Sequence, residues 1–395
     1  MRCAALLLVL AGCGGGPPRR GPEAGPDAID AALEAFQRGD HAGADRILAG
    51  SQDVQAVLVR ARLESLRNRD REALAILRPL APRRGEKPRD FDEMQLQGRV
   101  LSDIASACVR MDDFAGAADA FAQLGERVLA LKYGRLAKDI GYLGGLGESE
   151  AHAPFLSMDP LPTVRMSVNG TPGTFIVDTG LDEIVLDREF ARFARVSGIG
   201  LRTDALRRSL DEAVIDEVGL GPLRVRNVPA HVGEHRVLLG RGEERPAAAV
   251  ADIQGAVGLA FLMHFDFTLD FRRGRLTLRR AGGKIPGVPV LYAGDRNLLL
   301  FGKANGTLET WVAVHTGLAG VTVAVSIAFQ RLQPDPLTEL TAGPLRLVKP
   351  ALDLESFPPG LESSFGIPVG FALGPAALRG RSLRVEPRSM TALLE

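Results

Sequence analysis

The sequence predicts an α+β protein of several domains, an all-α region of helical hairpins followed by an all-β region of two lobes. Three observations carry that expectation. From about Asp27 to about Tyr142, apolar residues recur at helical spacing among many Ala, Leu, Arg and Glu. From about Leu156 onward, short runs of Val, Ile, Leu and Phe alternate with Gly, Pro, Asn and Asp turns, the texture of compact β structure. Within that second region the sequence repeats itself. A chain of 395 residues is long enough for two or three compact units, each with its own core.

Residues 1–13 read "MRCAALLLVLAGC", one basic residue at Arg2 and then an apolar run from Ala4 to Ala11. The run is too short to span a bilayer, so it reads as a signal-peptide core. Leu10-Ala11-Gly12-Cys13 resembles the bacterial lipoprotein box. The resemblance implies cleavage before an acylated Cys13 and a cell-envelope protein held to a bacterial membrane by lipid alone. The alternative is a plain secretory signal in which Cys13 is incidental. Residues 14–26, rich in Gly and Pro, suit a flexible tether. Of the other cysteines, Cys3 leaves with the signal and Cys108 sits alone in a helical apolar pattern, so no pair remains for a disulfide.

Residues 27–148 are expected as the helical domain. "AALEAFQRGDHAGADRIL" gives two helices meeting at Gly39-Asp40; further hairpins turn near Asn68 to Asp70 and near Asp112-Asp113. The pattern resembles tetratricopeptide-type hairpins, with uneven spacing, and implies a scaffold or a surface for a protein partner. An irregular helical domain is the other reading.

The β region is expected as lobe one, 156–282, and lobe two, 287–395. "VNGTPGTFIVDTGLDEIVLD" from Val168 matches "ANGTLETWVAVHTGLAGVTVA" from Ala304, and "IDEVGLGPLRV" from Ile215 matches "LTELTAGPLRL" from Leu337. A looser third block sets "GAVGLAFL" from Gly255 against "GIPVGFAL" from Gly366. Three blocks in one order indicate a duplication.

Lobe one, through "FIVDTGLDEIVLD" and "AVGLAFL", resembles the retropepsin-like aspartic peptidases, and the duplicated pair looks like a pepsin-type bilobal arrangement. The resemblance implies that Asp178 is a catalytic carboxylate, that Thr179 bonds across to the other lobe, and that Gly180 permits a tight turn. In such enzymes two carboxylates share one proton, one taking a proton from water while the other polarises the scissile carbonyl. The repeat puts His315 where the second Asp belongs and keeps Thr316 and Gly317. An imidazole facing Asp178 is expected to pair with it, lowering the acid's pKa and raising its own. Leu181 stands where the family has a small residue, and the flap expected between Arg202 and Ile215 lacks glycine.

Three readings follow: a cleft that binds peptide or protein without efficient hydrolysis, an endopeptidase using Asp178 with His315, or one pairing Asp178 with Asp178 of a second copy. No metal or organic cofactor is expected. "HVGEH", His231 to His235, resembles a zinc-peptidase spacing but lies in strand-like sequence, so both histidines read as surface or strand-end residues. Lys+Arg and Asp+Glu both number 48, a balance that argues against nucleic acid as a partner.

Overall fold

The structure, a computed structural model, describes residues 26–145, 150–203, 209–233, 252–293, 297–332, 336–358, 361, 367 and 369–395. Cys13 and the segment around it lie outside the described residues, as does His235. Helices come first: α1 (Pro26–Gln37), α2 (His41–Leu48), α3 (Val54–Leu66), α4 (Asp70–Leu77), α5 (Phe91–Arg110), α6 (Phe114–Gln123) and α7 (Arg127–Asp139). They turn where expected. Gly39, Asn68 and Asp112 adopt left-handed backbone, which ends one helix and starts the next. The Asp40 and Asp113 carboxylates then accept the backbone N–H of Gly43 and Gly116, capping α2 and α6. Cys108 is buried in the helical core; burial, then the Asp113 carboxylate, pushes its thiol up to about 12. Among the described residues no helix is long and apolar enough to cross a membrane.

Strands begin earlier than the expected 156, with β1 (Leu143–Gly145) and β2 (Glu150–Ser157). Both are recruited by later partners, β1 by a lobe-one strand at Arg224–Arg226 and β2 by Arg275–Arg279. Lobe one continues with β3 (Thr163–Val168), β4 (Thr171–Val177), β5 (Ile184–Asp187), β6 (Gly198–Thr203), β7 (Ser209–Leu220), β8 (Leu223–Gly233), β9 (Gly255–Val257), β10 (Phe265–Asp270) and β11 (Arg275–Arg280). Lobe two follows with β12 (Val288–Ala293), β13 (Asn297–Ala304), β14 (Leu308–Val314), β15 (Val323–Val325), β16 (Glu339–Ala342), β17 (Leu345–Val348), β18 (Leu352–Asp353), β19 (Val369–Leu373), β20 (Ser382–Glu386) and β21 (Thr391–Leu394).

The duplication is structural. β3–β4 and β13–β14 are hairpins turned by Asn169-Gly170 and Asn305-Gly306, all four with positive φ. Each Asn uses its side-chain oxygen to accept from the next hairpin, Asn169 from Glu217 N–H and Asn305 from Glu339 N–H. β4 runs parallel to β9 as β14 does to β19, and β9 and β19 pair antiparallel with β5 and β15. The third sequence block is corrected here. Val257 and Leu373 hold the same ladder position, so Gly255–Leu262 corresponds to the stretch from Phe371 to Leu378, not to the one beginning at Gly366. Apolar-glycine segments fit more than one register; only the pairing decides.

The lobes join edge to edge. Strands β2–β11–β10–β20–β21–β12 form one six-stranded sheet, with β10 and β20 antiparallel at its centre. The helices pack on both lobes. Phe36, Leu48, Leu63 and Leu66 share a buried cluster with Leu291, Leu299 and Trp311 of lobe two. The cluster of α5–α7 reaches Val214 and Ile199 of lobe one. At about 1.5–3 kcal/mol for each large apolar side chain fully buried, these contacts make the helices part of the β region's core.

Candidate functional site

Strand β4 delivers Asp178, and β14 delivers His315, to the seam between the lobes. The delivery is equivalent on both sides: Asp178 N–H donates to Val257 O at 3.0 Å and His315 N–H to Leu373 O at 2.9 Å. Below them the threonines interlock. Thr179 Oγ1 donates to Val314 O at 2.8 Å and accepts from Thr316 N–H at 3.1 Å. Thr316 Oγ1 donates to Val177 O at 2.6 Å and accepts from Thr179 N–H at 3.0 Å. Both threonines are fully buried. All four donors and acceptors find partners, as buried polar groups must.

The glycines act differently from the expectation. Neither Gly180 nor Gly317 has a positive φ. A Cβ on Gly180 would strike the His315 ring, and one on Gly317 would strike the Asp178 carboxylate. Each loop is bare so that the opposite lobe's functional side chain can lie across it. Leu181 is accommodated against a small buried cluster of Leu161, Ile176, Ile253 and Ala256, on which Ala319 of lobe two also packs.

Asp178 and His315 meet. His315 Nε2 lies 3.4 Å from Asp178 Oδ1, which also accepts the Gly180 N–H at 2.8 Å. His315 Nδ1 is buried with no hydrogen-bond partner. Pairing was expected to raise the imidazole's pKa; it is lowered instead. Burial of the ring outweighs the attraction of the single carboxylate. The ring is therefore neutral near pH 7.

A second polar cluster, missed in the sequence, lies behind the Asp178 loop. Lys132 of α7 is fully buried, its ammonium held by Glu183, by Glu212 at 2.6 Å and by Ala230 O at 3.1 Å. Tyr133 O–H donates to Glu183 at 2.9 Å. His231 is corrected from a surface or strand-end residue to a member of this cluster: 6% exposed, Nδ1 3.1 Å from Glu212 Oε2, Nε2 3.5 Å from Glu183. Burial and Lys132 pull its pKa down, but Glu183, Asp182 and Glu212 outweigh both and hold it at about 9. Burial pushes Glu212 up, yet Lys132 and His231 bring it down to about 2. The donor atoms of Glu183, Glu212 and His231 lie within 4.8 Å of one another, spacing suited to a cation; Lys132 supplies that charge. The signal was present in the sequence. Leu129, Lys132, Tyr133 and Leu136 sit on one helical stripe, a lysine where an apolar residue belongs.

The hairpin β6–β7 occupies the expected flap position; residues 204–208 at its tip lie outside the described residues. Lobe two passes from the helix Ile327–Leu332 to β16 without such a hairpin among its described residues.

Residues 164–246 match a family model described as Aspartyl protease. Among solved structures, a retropepsin-like aspartic protease from Rickettsia conorii is similar at 22% identity, over 33% of this chain and 90% of that one, with a TM-score of 0.24. The solved structure of edgp is similar at 7% identity, over 62% of this chain and 94% of that one, with a TM-score of 0.39. No curated protein sequence matches. Asp178 thus lies within the segment that matches the aspartyl protease family model.

Proposed function

We propose that this aspartic-protease-like chain binds an extended peptide or protein segment in the cleft between its lobes, with hydrolysis degenerate. One observation carries the reading: Asp178 faces an imidazole rather than a second carboxylate. Acid-pair hydrolysis needs one partner to hold a proton for the scissile carbonyl while the other takes one from water. The neutral imidazole is a poor acid, and its remaining nitrogen is buried. Asp178 remains as an acceptor for a ligand's N–H or O–H groups, and strand-type pairing along the cleft would hold the backbone. The chain is further proposed to be anchored in the cell envelope through Cys13, which metabolic fatty-acid labelling of wild type against Cys13→Ala tests.

A second reading draws on the 3.4 Å contact itself. If His315 is protonated, Asp178 and the imidazolium become a base and an acid, so an endopeptidase using this pair works only as the pH falls below the ordinary histidine value of about 6.5. Pairing of Asp178 with that of a second copy has less support. It would require parting the Thr179–Thr316 interlock and stripping lobe two from α1–α3.

The soluble chain from Gly14, incubated with a peptide library between pH 3 and pH 7, separates the readings. Saturable binding without cleavage is expected. Cleavage that rises in acid and disappears in Asp178→Asn establishes the peptidase. His315→Asp restores a carboxylate pair and is expected to raise cleavage; no gain counts against a catalytic seam.

A further inference from the structure

Helix α7 touches both parts of lobe one that such a cleft has to position. At its start, a Cβ on Gly200 of β6 would lie 3.1 and 3.2 Å from the two Val128 methyl groups. Glu126 stands 3.9 Å from the Arg202 guanidinium. One turn on, Lys132 and Tyr133 hold Glu183, which ends the loop that begins at Asp178. Arg202 closes the circuit: it lies 3.6 Å from Glu212, the other carboxylate on Lys132. The hairpin and the Asp178 loop are thus tied to one helix through one set of charges. Lobe two has Leu318-Ala319-Gly320 where lobe one has Leu181-Asp182-Glu183, and so has nothing for a lysine to hold.

The cluster also has room to rearrange. A cavity of about 290 Å³ between the helices and both lobes opens onto Tyr133 and Glu183, with Asp112, Tyr142 and His264 across it. Its lining contains neither Asp178 nor His315.

We propose that α7 controls access to the cleft by holding the β6–β7 hairpin and the Asp178 loop in one arrangement, so that shifting the helical bundle releases both together. Lys132 is then a positioning residue, acting on Asp178 through Glu183. The inference rests on the cleft reading above and names its regulator. An agent that moves the bundle changes peptide uptake without touching the seam.

Two forms of the soluble chain test this. Val128→Cys with Gly200→Cys places the two Cβ atoms 3.8 Å apart, the separation of a disulfide, and removes no charge. Lys132→Met with Glu183→Gln removes one charge of each sign. Amide exchange reads the coupling. In the charge pair, residues 198–203 are expected to exchange about tenfold faster while β20–β21 are unchanged. In the oxidised staple, residues 178–183 are expected to exchange several-fold more slowly, reversed by reductant. Wild-type exchange at residues 198–203 in a folded charge pair overturns the coupling. If the charge pair does not fold, the staple decides: unchanged exchange at residues 178–183 overturns it.

Peptide affinity, measured with a member of the library that binds wild type, is expected to fall about tenfold on stapling and return on reduction. Equal affinity in both states refutes control of access. Exchange that shifts as stated while no form binds any peptide refutes the cleft reading and leaves the mechanical coupling standing.

Discussion

The two lobes repeat one strand order but rest on the helices by different physics. Lobe two meets α1–α3 through apolar surface, with Phe36, Leu63 and Leu66 against Leu299 and Trp311. Lobe one adds to its apolar contact at Val214 and Ile199 a buried charge, Lys132, between Glu183 and Glu212. The contrast extends to histidine. His231 in lobe one and His315 in lobe two are both largely buried imidazoles beside a carboxylate, and the outcomes are opposite. Three carboxylates around His231 overcome burial and a neighbouring ammonium, raising its pKa to about 9. One carboxylate beside His315 does not overcome burial, and its pKa falls. Proximity to an acid does not by itself charge a histidine; the number of acids against the depth of burial decides.

The largest break in this comparison is Lys132→Met. Leaving Glu183 and Glu212 buried without their cation should lower unfolding free energy by about 3–5 kcal/mol, with part regained when Glu183→Gln is added. Urea unfolding measures both; a cost under about 1 kcal/mol would remove the charged half of the contrast.

The pH dependence sharpens it next. His231 has a folded pKa of about 9 against an ordinary 6.5, so its stabilisation is fully present below pH 6.5 and is lost as pH rises through 9. The amount is roughly 3 kcal/mol at most. His315 has the opposite sign. Its folded pKa is lowered, so the unfolded chain takes up the proton first and stability falls as pH drops below 6.5. Melting temperatures across pH 5–8.5 should lose their alkaline slope in His231→Gln and part of their acid slope in His315→Gln. A slope between pH 6.5 and 8.5 that survives in His231→Gln would contradict the assignment; above about pH 9 the buried Cys108 thiol adds a slope of its own.

The smallest effect concerns what the lobes share. Thr179→Val and Thr316→Val each remove one donated and one accepted bond across the seam. Each should cost about 1–3 kcal/mol, equally, and the double variant less than the sum. Unequal costs would show that the interlock is not symmetric in energy.

Much of this was legible in the sequence because it depends on local chemistry. Asp178-Thr179-Gly180 and His315-Thr316-Gly317 repeat within matching strand-turn patterns, and Asn-Gly at 169–170 and 305–306 dictates the same left-handed turn twice. What escaped was set by distant partners. A lysine on an apolar helical stripe is ambiguous until Glu183 and Glu212 are seen opposite it. His231 lies in a strand-like run whose inner face becomes visible only when α7 covers it. The charge state of His315 depends on burial, which no spacing reveals. Strands β1 and β2 precede the expected boundary because their partners lie far along the chain.

The central sheet has a consequence for how the chain is made. Strand β10 pairs on one side with β11, its immediate successor, but its other edge waits for β20, synthesised after nearly all of lobe two. During translation that edge, with Phe267 and Leu269 on it, is an unpaired template open to other nascent chains. Lobe one therefore stays at risk of wrong association until the last strands leave the ribosome, and truncation before Ser382 should favour aggregates over a soluble half.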